Sequence, residues 1–231
     1  IVCMNGTYEN IDCMELMARY PDKHFDLAIV DPPYGISIGS FIGGNNLATA
    51  KIYKPFDDSK IPEKEYFLEL FRVSKNQIIW GGNYYISYLK NTPCIIVWDK
   101  DNSGNFSDCE LAWTSFNSAV RKFKFRWNGM LQENMKEKEI RLHPTQKPVK
   151  LYEWLLTNYA KPNDLILDTH CGSASSLIAC ENLGFKYIAS ELDKDYYSQS
   201  LQRLQTHLSQ GKLFQRVGGT EIKISQQELL T

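Results

Sequence analysis

Residues 27–35 read L-A-I-V-D-P-P-Y-G. Ala28, Ile29 and Val30 form an apolar, partly β-branched run that suits a strand buried on both faces. Asp31 ends the run, and Pro32 and Pro33 cannot continue it. Each proline fixes its φ and lacks an N–H, so the carbonyls of Asp31 and Pro32 are held stiffly at the strand's carboxyl end. That is where open α/β sheets bind ligands. A flat ring, Tyr34, follows. A carboxylate, two rigid carbonyls and a ring suit a planar group bearing an amino function: acceptors for its N–H atoms and a face to stack on. A strand that merely ends in a proline turn would also carry D-P-P; Tyr34 and Gly35 favour the site.

Around this stretch the pattern alternates between helix and strand. Asp12–Tyr20 has helical spacing with Asp12 as a candidate N-cap, and Pro62–Val73 is an amphipathic helix with Pro in its first turn. Gln77–Trp80 and Pro93–Trp98 are short apolar strands, the first ending in Gly81-Gly82-Asn83 and the second in Asp99-Lys100. Strands followed by helices at this spacing predict a parallel, doubly wound sheet. Residues 36–61 are rich in Gly, Ser, Asn and Asp and carry no periodic element; so long a loop is functional or mobile.

A second centre lies downstream. Residues 164–175 read D-L-I-L-D-T-H-C-G-S-A-S, a buried strand with Asp168 at its end and a small-residue turn. A helix over 176–183 follows, with Gly184 as its C-cap. Next comes a strand, Y-I-A-S-E-L, ending in Glu191, with Asp193 capping a helix over 194–208. From Asp168 to Glu191 is 23 positions, the spacing of a nucleoside-binding half of a Rossmann-like sheet whose second acid holds ribose hydroxyls. Before it, His143–Lys150 reads H-P-T-Q-K-P-V-K and leads into a helix over Val149–Tyr159.

Between the centres the pattern changes. Glu110–Phe116 and Val120–Trp127 read as strands, the second alternating Lys/Arg with aromatics as an antiparallel strand with one wet face would. Asn128-Gly129 is a turn signal, and the stretch to Ile140 is polar with no evident core face. The chain's net charge is −1, which argues against a generic nucleic-acid binder. Yet residues 118–150 carry nine Lys/Arg against three Glu, so the excess is concentrated here. A solvated surface and a DNA contact read alike at this level.

The six cysteines are scattered, with no C-x-x-C pair and no Cys/His cluster, so neither a metal site nor a disulfide framework is expected. No apolar run approaches the roughly 20 residues of a membrane helix, and I-V-C-M-N-G lacks a signal peptide's apolar region. A cytoplasmic protein is expected. Ile1 at the start reads as a trimmed start or an internal one at Met4. At 231 residues the chain is long enough for one large α/β domain.

D-P-P-Y, H-P-T-Q-K-P, D-x-x-x-G-S-x-S and E-x-D, in this order, resemble the β class of amino-group DNA methyltransferases, over roughly residues 8–208. The resemblance implies an α/β, Rossmann-like, doubly wound and mostly parallel sheet of the S-adenosylmethionine-dependent methyltransferase type, the catalytic motif preceding the cofactor motif. It implies one methyltransferase domain over 1–231, a target-recognition insertion over 101–142 and a mobile loop over 36–61, with Lys51, Tyr53 and Lys54 as candidate DNA-backbone contacts. Asp31, Pro32, Pro33 and Tyr34 would be catalytic. Asp168, Thr169, Gly172, Ser173 and Glu191 would bind S-adenosylmethionine. Asp12 stands where the family has a Gly-Asp pair whose Asp contacts the cofactor's adenine; Ile11 replaces that Gly, and helix capping accounts for Asp12 equally well. Lys147 would lie beside the cofactor's methionine end or the DNA backbone. Arg121, Lys122, Lys124 and Arg126 are candidate DNA contacts.

The family commonly has D-P-F-x-G-S-G-T, so Thr169, His170, Ala174 and Ser175 are departures that bear on cofactor affinity. His170 reads as a wall residue, not a general base. The implied reaction is methylation of adenine N6 in double-stranded DNA, without a metal; restriction-modification, phage self-protection and regulation are the settings left open. A homodimer is compatible with the sequence and not required by it. Cytosine-N4 methylation is the nearest alternative, although those enzymes more often carry Ser in place of Asp31. A DNA-binding protein with a decayed cofactor site is a third reading.

Overall fold

The computed structural model describes residues 4–36, 58–102, 107–128, 131–136, 138–143, 145–212, 214–217 and 220–223. The loop expected over 36–61 lies outside them from residue 37 to 57, together with Lys51, Tyr53 and Lys54, and so does Gly129 of the expected turn. In chain order the elements are β1 (Thr7–Glu9), α1 (Cys13–Ala18), β2 (Phe25–Val30), α2 (Lys64–Val73), β3 (Ser74–Trp80), β4 (Ile95–Asp99), β5 (Cys109–Thr114) and β6 (Arg121–Lys124). They continue with β7 (Trp127–Asn128), β8 (Leu131–Gln132), α3 (Val149–Tyr159), β9 (Leu165–Asp168), α4 (Ser175–Leu183), β10 (Lys186–Ser190), α5 (Lys194–Lys212), β11 (Phe214–Val217) and β12 (Thr220–Lys223).

Eight strands form one Rossmann-like sheet in the order β1-β10-β9-β2-β3-β5-β4-β6. The apolar run of β2 explains its central place: Leu27 and Ile29 pack into one core with Trp80, Trp98 and side chains of α3 and α4. Ala28 and Val30 pack into the other, with Leu16, Phe67 and Leu70 from α1 and α2. Such a strand has no face left for water, which places helices on both sides. The sheet extends from β2 in one direction through β3 and from β9 in the other through β10 to β1. The point where the order reverses therefore lies between β2 and β9, and an open sheet forms its ligand crevice beyond the carboxyl ends there.

The expected regular β–α alternation fails after β3. Instead, β5 returns antiparallel between β3 and β4. β6, expected to be antiparallel, pairs parallel with β4. The reason is topological: β5 occupies the inner side of β4, so the chain, reversing once more, can join only β4's free edge and runs in its direction.

Smaller differences have local causes. α2 begins after Glu63, its N-cap, so Pro62 precedes the cap and does not sit in the first turn. The polar stretch after β8 is held by amide side chains that hydrophobic periodicity cannot reveal. Buried Gln132 donates to the Glu139 carbonyl at 2.9 Å and accepts from the Glu139 N–H at 2.8 Å. Buried Gln146 accepts from the Leu142 N–H at 2.8 Å, and its carbonyl takes the Trp127 indole N–H at 2.7 Å. α5 runs to Lys212, not Leu208, and β11 and β12 form an antiparallel hairpin after it. Among the described residues no helix is long and apolar enough to cross a membrane.

Candidate active site

Ala28 of β2 lies opposite Leu167 of β9 in a parallel pair. Asp31 and Asp168 therefore leave neighbouring strands at the same end and flank one crevice. Beyond Asp31 the Tyr85 hydroxyl stands 2.7 Å from the Pro32 carbonyl and 2.8 Å from that of Pro33. The phenol's one proton is shared between the two carbonyls, which steadies both and leaves each a lone pair free.

Tyr34 turns inward. Its hydroxyl donates to Asp31 Oδ1 at 2.6 Å, and its ring stacks on Tyr84 at a centroid distance of 4.9 Å. The turn after β3 makes room for it: Gly81 has φ +70°, and a Cβ there would stand 2.3 Å from Tyr34 Cε1. Glycine at 81 is needed for both conformation and space. Burial and the neighbouring Asp31 push the phenol far above its ordinary value, so it remains a donor.

The other carboxylate oxygen, Asp31 Oδ2, takes the Lys147 ammonium at 2.5 Å. Lys147 also meets Glu110 Oε2 at 3.0 Å and the Tyr34 hydroxyl at 3.1 Å. Lys100 meets Glu110 Oε1 at 2.5 Å. Charges thus alternate along Lys100, Glu110, Lys147 and Asp31. Lys147's side chain is 2% exposed; burial works to neutralise it, and Asp31 and Glu110 overcome that and raise its pKa. Burial likewise opposes ionisation of Glu110, yet Lys147 and Lys100 hold its carboxyl down to about 2.

The second centre is built differently. Asp168 is buried beneath its turn, accepting from the His170 N–H at 3.1 Å and from the Ser176 hydroxyl. Burial pushes its carboxyl up to about 7. Glu191, at the end of β10, accepts from the N–H of Gly172 at 2.8 Å and of Asp193 at 2.9 Å. Gly172 has φ +53°, and a Cβ there would meet nothing within 4 Å: the turn opens onto free space. Thr169 is buried, its hydroxyl 2.7 Å from that of Tyr66 and 2.9 Å from His170 Nδ1. Burial lowers His170 to about 4, leaving a neutral wall residue. Arg203 of α5 donates to the Ser173 carbonyl at 2.6 Å and pairs with Glu139 at 2.7 Å. Ala174 has φ +61° and is fully buried, so its methyl faces the core and not the crevice. Asp12 Oδ1 caps α1, accepting from the N–H of Met14 at 2.7 Å.

The structure thus brings Asp31, Pro32, Tyr34 and Lys147 together, and Asp168, Thr169, Gly172, Ser173 and Glu191 together on the adjoining strand. It places the Lys147 ammonium on the carboxylate of Asp31. The basic strand lies apart, at the sheet edge. There Lys122 pairs with Asp99 at 3.2 Å, and Lys124 and Arg126 pair with Asp101 at 2.8 and 2.5 Å. Sequence reasoning missed Glu110, Lys100, Tyr85, Tyr66 and Arg203. The two glycines before Tyr84-Tyr85 were a usable signal; a single Glu early in a strand was not.

A Rossmann-like sheet that sets an amino-directed acceptor group beside a nucleoside-type turn, with the acceptor motif first in the chain, defines the class of amino-group methyltransferases. The chain belongs to the DNA methylase family N6_N4_Mtase, which it matches over residues 25–202. It is 26% identical to the type II methyltransferase M2.LlaDCHI of Lactococcus lactis subsp. cremoris, covering 87% of this chain and 89% of the relative. In structure it is similar to M1.HpyAVI in complex with SAM, at TM-score 0.53 and 21% identity, over 86% of this chain and 99% of the other. It is also similar to the cytosine-N4-specific PvuII DNA methyltransferase, at TM-score 0.57 and 15% identity, over 90% and 93%.

Proposed function

We propose that this protein transfers a methyl group from S-adenosylmethionine to the N6 atom of a flipped adenine in double-stranded DNA. One observation carries the reading: the Asp31 carboxylate and the Pro32 carbonyl stand at the same end of the sheet as the β9–α4 turn, whose Gly172 N–H donates to Glu191. That turn fits a nucleoside. Glu191 keeps spare lone pairs while its two backbone bonds fix it, and the space beside Gly172 is open. Glu191 would hold the ribose hydroxyls, and Gly172 and Ser173 would line the approach. S-adenosylmethionine supplies the activated methyl group when bound.

The chain's own residues address the nitrogen. An aromatic amine is a poor nucleophile because its lone pair is delocalised into the ring. Asp31 Oδ1 and the Pro32 carbonyl accept its two hydrogens, favour a pyramidal nitrogen and stabilise the positive charge growing on it. The base must leave the duplex to reach them, at a cost of a few kcal/mol. Its entry requires the Tyr34 hydroxyl to leave Oδ1, which frees the ring to stack on the base.

Residues 101–142 would serve target recognition, with Arg121, Lys122, Lys124 and Arg126 toward the DNA backbone. A single domain, a cytoplasmic location and a role in restriction-modification complete the reading. Incubating the protein with DNA and S-adenosylmethionine and digesting the product to nucleosides tests it. N6-methyladenine is expected; N4-methylcytosine would replace the base and keep the chemistry, and no methylated base would leave a DNA-binding protein.

A further inference from the structure

A carboxylate that must accept a hydrogen from a substrate needs one oxygen free at the right moment. The two oxygens of Asp31 are treated unequally. Oδ2 faces a buried ammonium, Lys147, at 2.5 Å; among the described residues Oδ1 faces only a neutral hydroxyl, Tyr34, at 2.6 Å. An ion pair of this kind is hard to separate once it is out of water, whereas a hydroxyl is readily exchanged for an amine N–H.

What keeps Lys147 on one oxygen is its other partners. An ammonium has three protons, and here they have three acceptors: Asp31 Oδ2, Glu110 Oε2 and the Tyr34 hydroxyl. Glu110 is itself anchored from the far side by Lys100 at 2.5 Å. The ammonium also lies 5.3 Å from the centre of the buried Trp80 ring. Without Glu110 an ammonium beside a carboxylate would be drawn across both oxygens and would cover the acceptor the base requires.

We infer, resting on the methyltransferase reading above, that Glu110 and Lys147 are positioning residues. They hold Asp31 through Oδ2 and reserve Oδ1 for the amino group of the target base. The Tyr34 hydroxyl is the stand-in donor that the amino group displaces; one O–H donor leaves as one N–H donor arrives, and the carboxylate is never unpaired. The arrangement also selects against a keto group at the same point, since an oxygen acceptor would face Oδ1 without a hydrogen between them.

The test compares methyl transfer in the full chain for wild type, Glu110→Gln, Lys147→Met, Lys147→Arg and the double variant Glu110→Gln/Lys147→Met, with cofactor affinity measured separately by calorimetry. Glu110→Gln is expected to lower kcat about tenfold or more, by misplacing Asp31, while KM for DNA and cofactor Kd stay within about twofold. Lys147→Met is expected to lower kcat about a hundredfold, and Lys147→Arg to recover part of that. Because Glu110 acts through Lys147, adding Glu110→Gln to Lys147→Met should change kcat by no more than about twofold. If Lys147→Met does not fold, Glu110→Gln and Lys147→Arg carry the test. A Glu110→Gln protein with wild-type kcat overturns the inference, as does one whose loss of activity matches a loss of cofactor affinity. Wild-type protein that methylates no DNA overturns the functional reading itself and the inference with it.

Discussion

The two carboxylate centres of the crevice are held by different kinds of donor. Glu191 is bound by backbone N–H groups, those of Gly172 and Asp193, and Asp168 by the His170 N–H and a hydroxyl in the first turn of α4. Asp31 accepts from side chains, the Lys147 ammonium and the Tyr34 hydroxyl. Backbone donors cannot move without moving the chain, so the turn between β9 and α4 is a fixed mould. Side-chain donors can be exchanged one for another, so the end of β2 can release a partner and admit a substrate. On the proposed reading, the cofactor side is shaped and the base side is switchable.

Removing Asp31 should break the switchable side most severely. Asp31→Ala is expected to lower turnover by a factor on the order of 10² to 10³, as for other groups that act on transition-state charge, with fold and cofactor affinity kept. Asp31→Asn keeps a carbonyl without the charge and should lose less. Tyr34→Phe, which keeps the ring and removes only the stand-in hydroxyl, should be milder than Tyr34→Ala. Full turnover in Asp31→Ala would sink the mechanism.

On the moulded side, Glu191→Ala should weaken cofactor binding by about 1 to 3 kcal/mol, through lost hydrogen bonds to a ribose and two backbone N–H groups left unpartnered. Calorimetry reads this directly. Unchanged affinity in a folded variant would move the ribose site elsewhere.

The edge strand extends the comparison to charges that already have partners. Neutralising Arg121, Lys122, Lys124 and Arg126 together should weaken DNA binding and flatten its log–log salt dependence. The change in slope should fall short of the roughly 3.6 that four free phosphate contacts would give, because Lys122, Lys124 and Arg126 are shared with Asp99 and Asp101. A slope equal to that of the unmodified protein would make this strand solvated surface only.

The same contrast governs what could be read from the sequence. The β9–α4 turn was legible because much of its geometry is local: Asp168 meets His170 and Ser176 close by in the chain, and Glu191, which accepts from Gly172, follows at a fixed spacing. β2 was legible because burial on both faces leaves its mark in consecutive residues. Lys147 was not legible as the partner of Asp31, nor Glu110 as that of Tyr34, because contacts across 116 and 76 positions leave no periodicity in the chain. The parallel pairing of β6 escaped for a related reason. Alternation shows which face of a strand is wet and says nothing about which edge it joins.

Ala174 gives the smallest and sharpest test of the mould. Its φ of +61° lies in the left-handed region, where an L-residue costs about 1 to 2 kcal/mol relative to glycine. Replacing it by glycine removes that cost but loosens the unfolded chain, by about 0.4 to 1 kcal/mol. It also deletes a methyl group that is fully buried, worth about 0.8 kcal/mol. The three terms nearly cancel, which explains how alanine persists at a position whose backbone favours glycine. Ala174→Gly should therefore change stability by less than about 1 kcal/mol, a shift in Tm of no more than about 2 to 4 °C for a chain of this size. Cofactor affinity should stay unchanged, because the methyl points into the core. A tenfold gain in affinity for S-adenosylmethionine would instead put that methyl against the ligand, and the turn would then be an unfinished mould.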